Sequence, residues 1–406
     1  MGLTKVYFPG LNGLRFLAAS AVVITHIELV KKFLGYNTLW IDPKTSMNSM
    51  AITHIVKGDF HWFSPIAAEA GPLGVVFFFV LSGFLITYLL FVEKENTGRI
   101  SAKQFYLRRI FRIWPLYYLV FILGFFVLPY FDWFHIPQQS AHFEKNFWGN
   151  FWCYLLIFPN LALAMFTAVP NIGQAWSIGV EEQFYIVWPL IMKAFKKPLL
   201  AIILATGILL SIKALVLFAS QGTESEWLIV IRKFLAMSKI ECMTIGALGA
   251  WLLYYKKEQF FKFIYHPLAQ IGAVLGIATV LYCTPPLVQD VNHIAYGLLF
   301  IVIILNVSCN KKSFLKLENP LFNSLGQVSY GIYMFHLIVV TFVIYFVGWL
   351  KEDGSMFTLT DQILIYSLSL VGTITLSWFS YHLFESRFIR LKSKFSTVIS
   401  GDMAKK

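Results

Sequence analysis

The sequence predicts an all-α integral membrane protein, a helical bundle of about ten transmembrane helices with one re-entrant or interfacial segment. Three observations lead there. Charged residues are 13% of the 406 positions and hydrophobic ones 58%, too little polar surface to clothe soluble cores in a chain of this length. The apolar residues come in runs of roughly 16–22 positions without the period-two alternation of an outer-membrane strand. The basic residues behind the net charge of +12 gather between particular runs, a positive-inside pattern that explains the charge without a nucleic-acid partner.

The runs are 11–30, 73–92, 113–131, 151–169, 176–192, 199–219, 240–255, 268–283, 293–308, 328–347 and 363–384. The first follows a short N-terminus with no small-residue cleavage site after it, and so reads as a span, not a removed signal peptide. Lys94, Arg99, Lys103, Arg108, Arg109 and Arg112 lie between the second and third runs, which makes that loop cytoplasmic. Arg387, Arg390, Lys392, Lys394, Lys405 and Lys406 make the C-terminal tail cytoplasmic as well. Eleven crossings would put these two clusters on opposite sides, so one run does not cross. The run 151–169, interrupted by Pro159 and Asn160, is the one that suits a re-entrant or interfacial piece. Ten spans with both termini inside then place 22 Lys and Arg in cytoplasmic segments and 9 in external ones. The long external segments are 31–72 and 132–175. The chain divides into a membrane domain, 1–390, and a basic tail, 391–406, with no internal repeat. Cys153, Cys242, Cys283 and Cys309 form no C-x-x-C, so neither a disulfide framework nor a metal site is expected.

Ionisable residues inside spans are costly and point to function. Lys213 is placed to snorkel, and Glu28 and Glu241 to be wetted near external interfaces. Arg15 and His26 are 11 positions apart on one helix, within about 20° of the same face and about 16 Å apart along it. Glu181 enters from the external side at a depth near that of His26, with Tyr185 and Trp188 on its own face; Glu182 points about 100° away. A carboxylate that orients an imidazole makes a general-base pair, so His26 and Glu181 are the candidate catalytic residues. His336, three positions after Tyr333, fits a packing role. Arg108, Arg109 and Arg112 fit lipid headgroups or the phosphates of a nucleotide-like molecule.

Five segments carry a resemblance. Gly10-Leu11-Asn12-Gly13-Leu14-Arg15 followed by His26 resembles the opening signature of the acyltransferase 3 family of membrane proteins. Residues 78–86, with Ser82 in Leu81-Ser82-Gly83, resemble its second-span motif. Residues 105–115, Phe-Tyr-Leu-Arg-Arg-Ile-Phe-Arg-Ile-Trp-Pro, resemble its basic motif. Trp176-Ser177-Ile178-Gly179-Val180-Glu181 resembles its Trp-Ser-Leu-x-Val-Glu block, and Ser329-Tyr330-Gly331-Ile332-Tyr333-Met334-Phe335-His336 its late Ser-Tyr-x-x-Tyr-x-x-His block. Members commonly carry Asp where this chain has Asn12.

The resemblance implies O-acylation, commonly O-acetylation, of an extracytoplasmic carbohydrate such as O-antigen, capsule or exopolysaccharide, by a multi-pass protein of the bacterial cytoplasmic (inner) membrane. It implies acyl-CoA, with acetyl-CoA the common case, as a donor substrate and not a resident cofactor. Arg15, Arg108, Arg109 and Arg112 would hold the CoA phosphates, and His26 and Glu181 would act on the acceptor hydroxyl. Ser82, Trp176, Ser177, Tyr185, Ser329, Tyr330, Tyr333 and His336 would bind substrate or support the site. Partners are the lipid bilayer and the carbohydrate acceptor. Some members carry a fused hydrolase-like domain, for which this chain has no room, so it acts alone or with a separate periplasmic partner. A secondary transporter of a small anionic or acylated solute is the alternative, since re-entrant segments and buried His and Glu suit one.

Overall fold

The structure, a computed structural model, describes residues 4–39, 63–222, 225–282, 292–351, 356–396 and 398–401. Cys283, most of segment 31–72, and Lys405 and Lys406 of the basic tail lie outside the described residues. In chain order the elements are β1 (Thr4–Val6), α1 (Leu11–Phe33), α2 (Ser64–Thr97), α3 (Ala102–Phe126), α4 (Pro137–Lys145), α5 (Phe147–Leu155), α6 (Pro159–Met165), α7 (Trp176–Ala194) and α8 (Pro198–Ala219). They continue with α9 (Glu226–Met237), α10 (Ile240–Tyr254), α11 (Glu258–Ile264), α12 (Pro267–Tyr282), α13 (Asn292–Cys309), α14 (Pro320–Gln327), α15 (Ser329–Trp349), α16 (Leu359–Ser380), α17 (Ser386–Lys392) and β2 (Val398–Ser400). The fold is an all-α membrane protein.

Among the described residues seven helices are long and apolar enough to cross a bilayer: α1, α2, α3, α8, α13, α15, and α16 running on into α17. The pair α11 and α12, bent by 59°, raises that to eight. This is fewer than the ten expected. The other two predicted runs became α7, which carries Glu181, Glu182 and Lys193, and α10, which is 15 residues long.

Helices α2 and α15 form the centre, with 72% of the apolar stretch of each buried, whereas α8 at 11% lies on the outside. In lipid, helix association depends on close packing more than on hydrophobicity. The tightest approach joins α2 to α10. A Cβ on Gly83 would stand 1.9 Å from the Met243 carbonyl oxygen, and one on Gly246 2.0 Å from that of Val80. Only glycine fits at either point, and this contact fixes the position of Ser82 on α2.

Run 151–169 divides as its proline predicts, into the nine-residue α5 and the seven-residue α6. Between them Ile157 takes a left-handed φ of 62°. Backbone groups freed at a break inside a membrane protein must find partners in the protein. Tyr117 donates to the Tyr154 carbonyl at 2.7 Å and Tyr118 to that of Leu155 at 2.9 Å, so two tyrosines of α3 cap the end of α5. Asn160 and Gln183 exchange amide hydrogen bonds of 3.1 and 2.9 Å, fastening α6 to α7.

The two described ends of the chain meet. Strands β1 and β2 pair in parallel, Thr4 opposite Val398 and Val6 opposite Ser400. The end of the bundle where they pair is termed basal below. Helices α1 and α15 run away from it, and α7 and α16 run toward it.

Candidate active site

A cavity of about 220 Å³ opens toward the basal end among α1, α2, α3, α7, α15 and the C-terminal segment. Pro115 lies inside α3 and Pro189 inside α7, and a five-residue π-helical turn, Tyr381–Glu385, joins α16 to α17. Such turns displace side chains from the helical register and are frequent at functional sites; here Tyr381 and Glu385 both face the cavity.

The basal part is cationic. Arg15, Arg109, Arg112 and Lys392 all line it. Arg15 donates to Asn12 Oδ1 at 3.0 Å. The Arg109 guanidinium lies 5.4 Å from the ring centres of both Phe105 and Tyr185, and its Nε has no hydrogen-bond partner. Among the described residues no carboxylate lies within ion-pair range of Arg109, Arg112 or Lys392. Two unit charges 4 Å apart repel by about 4 kcal/mol at an effective dielectric of 20. The basal part of this cavity, which Glu181 and Glu385 also line, is thus suited electrostatically to anionic groups.

Arg108 is different. It pairs with Glu93 at 2.6 Å and donates to the Phe395 carbonyl at 3.0 Å, and it does not line the cavity. Of the three arginines of α3 expected to face phosphate, one is a structural residue: Arg108 lies only about 40° around the helix from Arg112, and its partners Glu93 and the Phe395 carbonyl, not helical rotation alone, hold it out of the cavity.

Further in, Glu181 accepts a short hydrogen bond from the Tyr185 hydroxyl, whose oxygen lies 3.1 Å from Ser82 Oγ. All three residues line the cavity. Glu182 faces elsewhere and accepts from Trp114 Nε1 at 3.1 Å. The far wall is a polar bar. Tyr333 donates to the Gln174 carbonyl at 3.1 Å, so the 2.6 Å contact between Ser177 Oγ and Tyr333 must have serine as donor. Gln174 Nε2 donates to the Met334 carbonyl at 2.6 Å. Ser329 and Tyr330 also line the cavity; they bond to the carbonyls of Gly326 and Ile113. Trp176 does not; its ring packs edge-on against Phe79.

Beyond the bar stand two histidines. The rings of His26 and His336 are 4.8 Å apart. Each Nδ1 contacts a carbonyl of its own helix, His26 that of Val22 at 2.9 Å and His336 that of Tyr333 at 2.7 Å. A carbonyl only accepts, so both Nδ1 atoms carry hydrogen and both Nε2 atoms are the basic ones. His336 is fully buried and its Nε2 has no partner; His26 is half-buried. This corrects the expected pairing of His26 with Glu181. The residue against His26 is His336, and Glu181 is held by Tyr185 on its own helix. Matched depth does not establish matched azimuth.

Three further expectations change. Glu28 is not wetted: it is buried, paired with Lys31 at 2.5 Å, and accepts from Tyr366 at 2.6 Å. Lys213 does not snorkel but pairs at 2.5 Å with a buried Glu241, which also bonds His293. Lys392, counted in the sequence only as part of a basic tail, is a cavity residue. No periodicity marks it, because the π-helical turn sets its direction.

Fold and cavity define a polytopic membrane protein with a cationic chamber below an imidazole pair, one ring of which is buried. Comparison with known proteins names the class: the acyltransferase domain of the acyltransferase 3 family matches residues 8–382, and the chain belongs to that family. It is 28% identical to the peptidoglycan O-acetyltransferase OatA of Listeria monocytogenes over 234 residues, 54% of this chain and 30% of that protein. It is 25% identical to a putative O-acetyltransferase of Staphylococcus aureus over 409 residues, 95% of this chain and 59% of that protein. It is 29% identical to YrhL of Bacillus subtilis, a putative peptidoglycan O-acetyltransferase, over 46% of this chain and 24% of that one. The chain thus spans between a quarter and three fifths of the length of these relatives. No solved structure matches it.

Proposed function

We propose that this protein is an O-acetyltransferase that passes an acetyl group from cytoplasmic acetyl-CoA to a carbohydrate hydroxyl on the other side of the membrane. The observation that carries the reading is the order of groups along one axis: a cluster of cations at the basal end, then Glu181, Tyr185 and Ser82, then the Ser177–Tyr333 bar, then the histidine pair. The cations suit the CoA phosphates, and the narrow chamber suits the pantetheine arm. The relatives named as O-acetyltransferases support a glycan acceptor. His26, the more accessible ring, takes the hydroxyl proton through Nε2 as the oxygen attacks the thioester carbonyl. The carbon–sulfur bond breaks, the proton passes to the thiolate, and ester and free CoA result. His336 fixes the direction of the His26 ring.

The topology belongs to the same proposal. Paired termini require an even number of crossings, which seven spans do not satisfy. Adding α7 and α10 to the eight makes ten, with α5 and α6 re-entrant. The positive-inside split then supports a cytoplasmic basal end in a bacterial cytoplasmic membrane.

The test is purified protein in vesicles with radiolabelled acetyl-CoA outside the basal face and soluble glycan fragments on the other. Label should appear in alkali-labile ester on the glycan, and His26→Ala should lower the rate by about 10²–10⁴-fold. Near-normal transfer by a folded His26→Ala protein would remove His26 as the base.

A further inference from the structure

The basic tail is not a loose appendage where the structure describes it. After α17 the chain borders the basal mouth of the cavity, and three contacts hold it there. Phe395 stacks on Phe111 with ring centres 5.6 Å apart and planes 9° from parallel. Its carbonyl accepts from Arg108 Nη1 at 3.0 Å. Arg108 is itself fixed by Glu93, which also accepts from the Ser101 amide at 3.0 Å. Strand β2 then pairs with β1. The result is that Lys392, Ser400 and Gly401 line the cavity together with Val6, Tyr7 and Phe8.

Lys392 is the unusual member. It is 6% exposed, it lies in the field of Arg15, Arg108, Arg109 and Arg112, and among the described residues it has no acidic partner. A buried lysine among arginines destabilises the empty protein. Such a group is retained at a net gain only if a ligand brings negative charge to it. The anchored segment also accounts for Arg108, which holds the chain at Phe395, three residues beyond Lys392.

We propose that Lys392, Ser400 and Gly401 of the C-terminal segment form a wall of the donor site, and that Lys392 binds a phosphate group of the acyl donor. The inference rests on the donor being a CoA thioester and deepens that reading.

Full-length protein in detergent is titrated calorimetrically with acetyl-CoA and with S-acetyl-pantetheine, which lacks the phosphates, and its melting temperature is recorded without ligand. Lys392→Gln should weaken acetyl-CoA binding by about 10–100-fold, the range for one charge-assisted bond to phosphate, and leave the pantetheine thioester unaffected. Lys392→Arg should stay within a few-fold of the wild type. The unliganded Lys392→Gln protein should melt no lower than the wild type, because a repulsive charge has gone; a merely structural lysine would give the opposite sign. Unchanged acetyl-CoA affinity in Lys392→Gln, or equal loss of both thioesters, overturns the assignment of Lys392 while the donor reading stands. Failure of the wild type to bind acetyl-CoA overturns both.

Discussion

Two arginines four positions apart in α3 should respond to the same substitution in opposite ways. Arg108 neutralises Glu93 at 2.6 Å, in a pair with side chains 12% and 2% exposed. Arg108→Gln leaves a buried carboxylate with the Ser101 amide as its remaining donor, and it strips the Phe395 carbonyl of its arginine. Removing one partner from a buried pair costs about 3–5 kcal/mol, so this variant should melt well below the wild type. Adding Glu93→Gln removes the stranded charge and should restore most of the loss, giving a large coupling energy in the double-mutant cycle. Arg112 lines the cavity and makes no ion pair among the described residues. Arg112→Gln should leave the melting temperature unchanged or raise it, and should weaken acetyl-CoA binding by about 10–100-fold, as expected for a lost contact of roughly 1.5–3 kcal/mol. The assays are thermal melting of detergent-solubilised protein and calorimetric titration of the same samples. Equal melting temperatures for the two single variants, or no recovery in the double variant, would refute this division of labour.

Gly246→Leu should prevent stable insertion or lower thermal stability severely, because its Cβ would meet the Val80 carbonyl at 2.0 Å; size-exclusion profiles after mild solubilisation report it, and a monodisperse wild-type profile would contradict the packing. His336→Ala should reduce acetyl transfer with little change in acetyl-CoA affinity, since His336 meets His26 beyond the bar and does not line the cavity; a selective loss of donor binding would count against its place in the sequence of groups. Cysteines at Glu144 and Thr167, which flank α5 and α6, should label from the same side of the membrane in a cysteine-free background, as a re-entrant pair requires; labelling from opposite sides would remove the ten-span topology.

Much of this protein was legible in one dimension because a bilayer imposes a one-dimensional rule. Each span must satisfy its own backbone hydrogen bonds, so apolar length reports helices directly. The break at Pro159 was legible for the same reason, since a missing N–H and a ring clash act locally. The residues of the cavity were visible as ionisable or hydroxyl groups in unusual places, and Arg15, Ser82, Arg109, Arg112, Ser177, Glu181, Tyr185, Ser329, Tyr330 and Tyr333 do line it. Partnership was not legible. Helical spacing gives the depth and angle of a side chain on its own helix, but not how that helix is turned about its axis relative to another. The structure therefore decided that His26 meets His336 and not Glu181, that Arg108 holds Glu93 and the chain end while Arg112 faces the chamber, and that Glu28 and Glu241 are buried in ion pairs. It also decided the role of Lys392. Its neighbours in space are more than 270 positions away in sequence, and only the pairing of Val398–Ser400 with Thr4–Val6, together with the π-helical turn before α17, brings it to them.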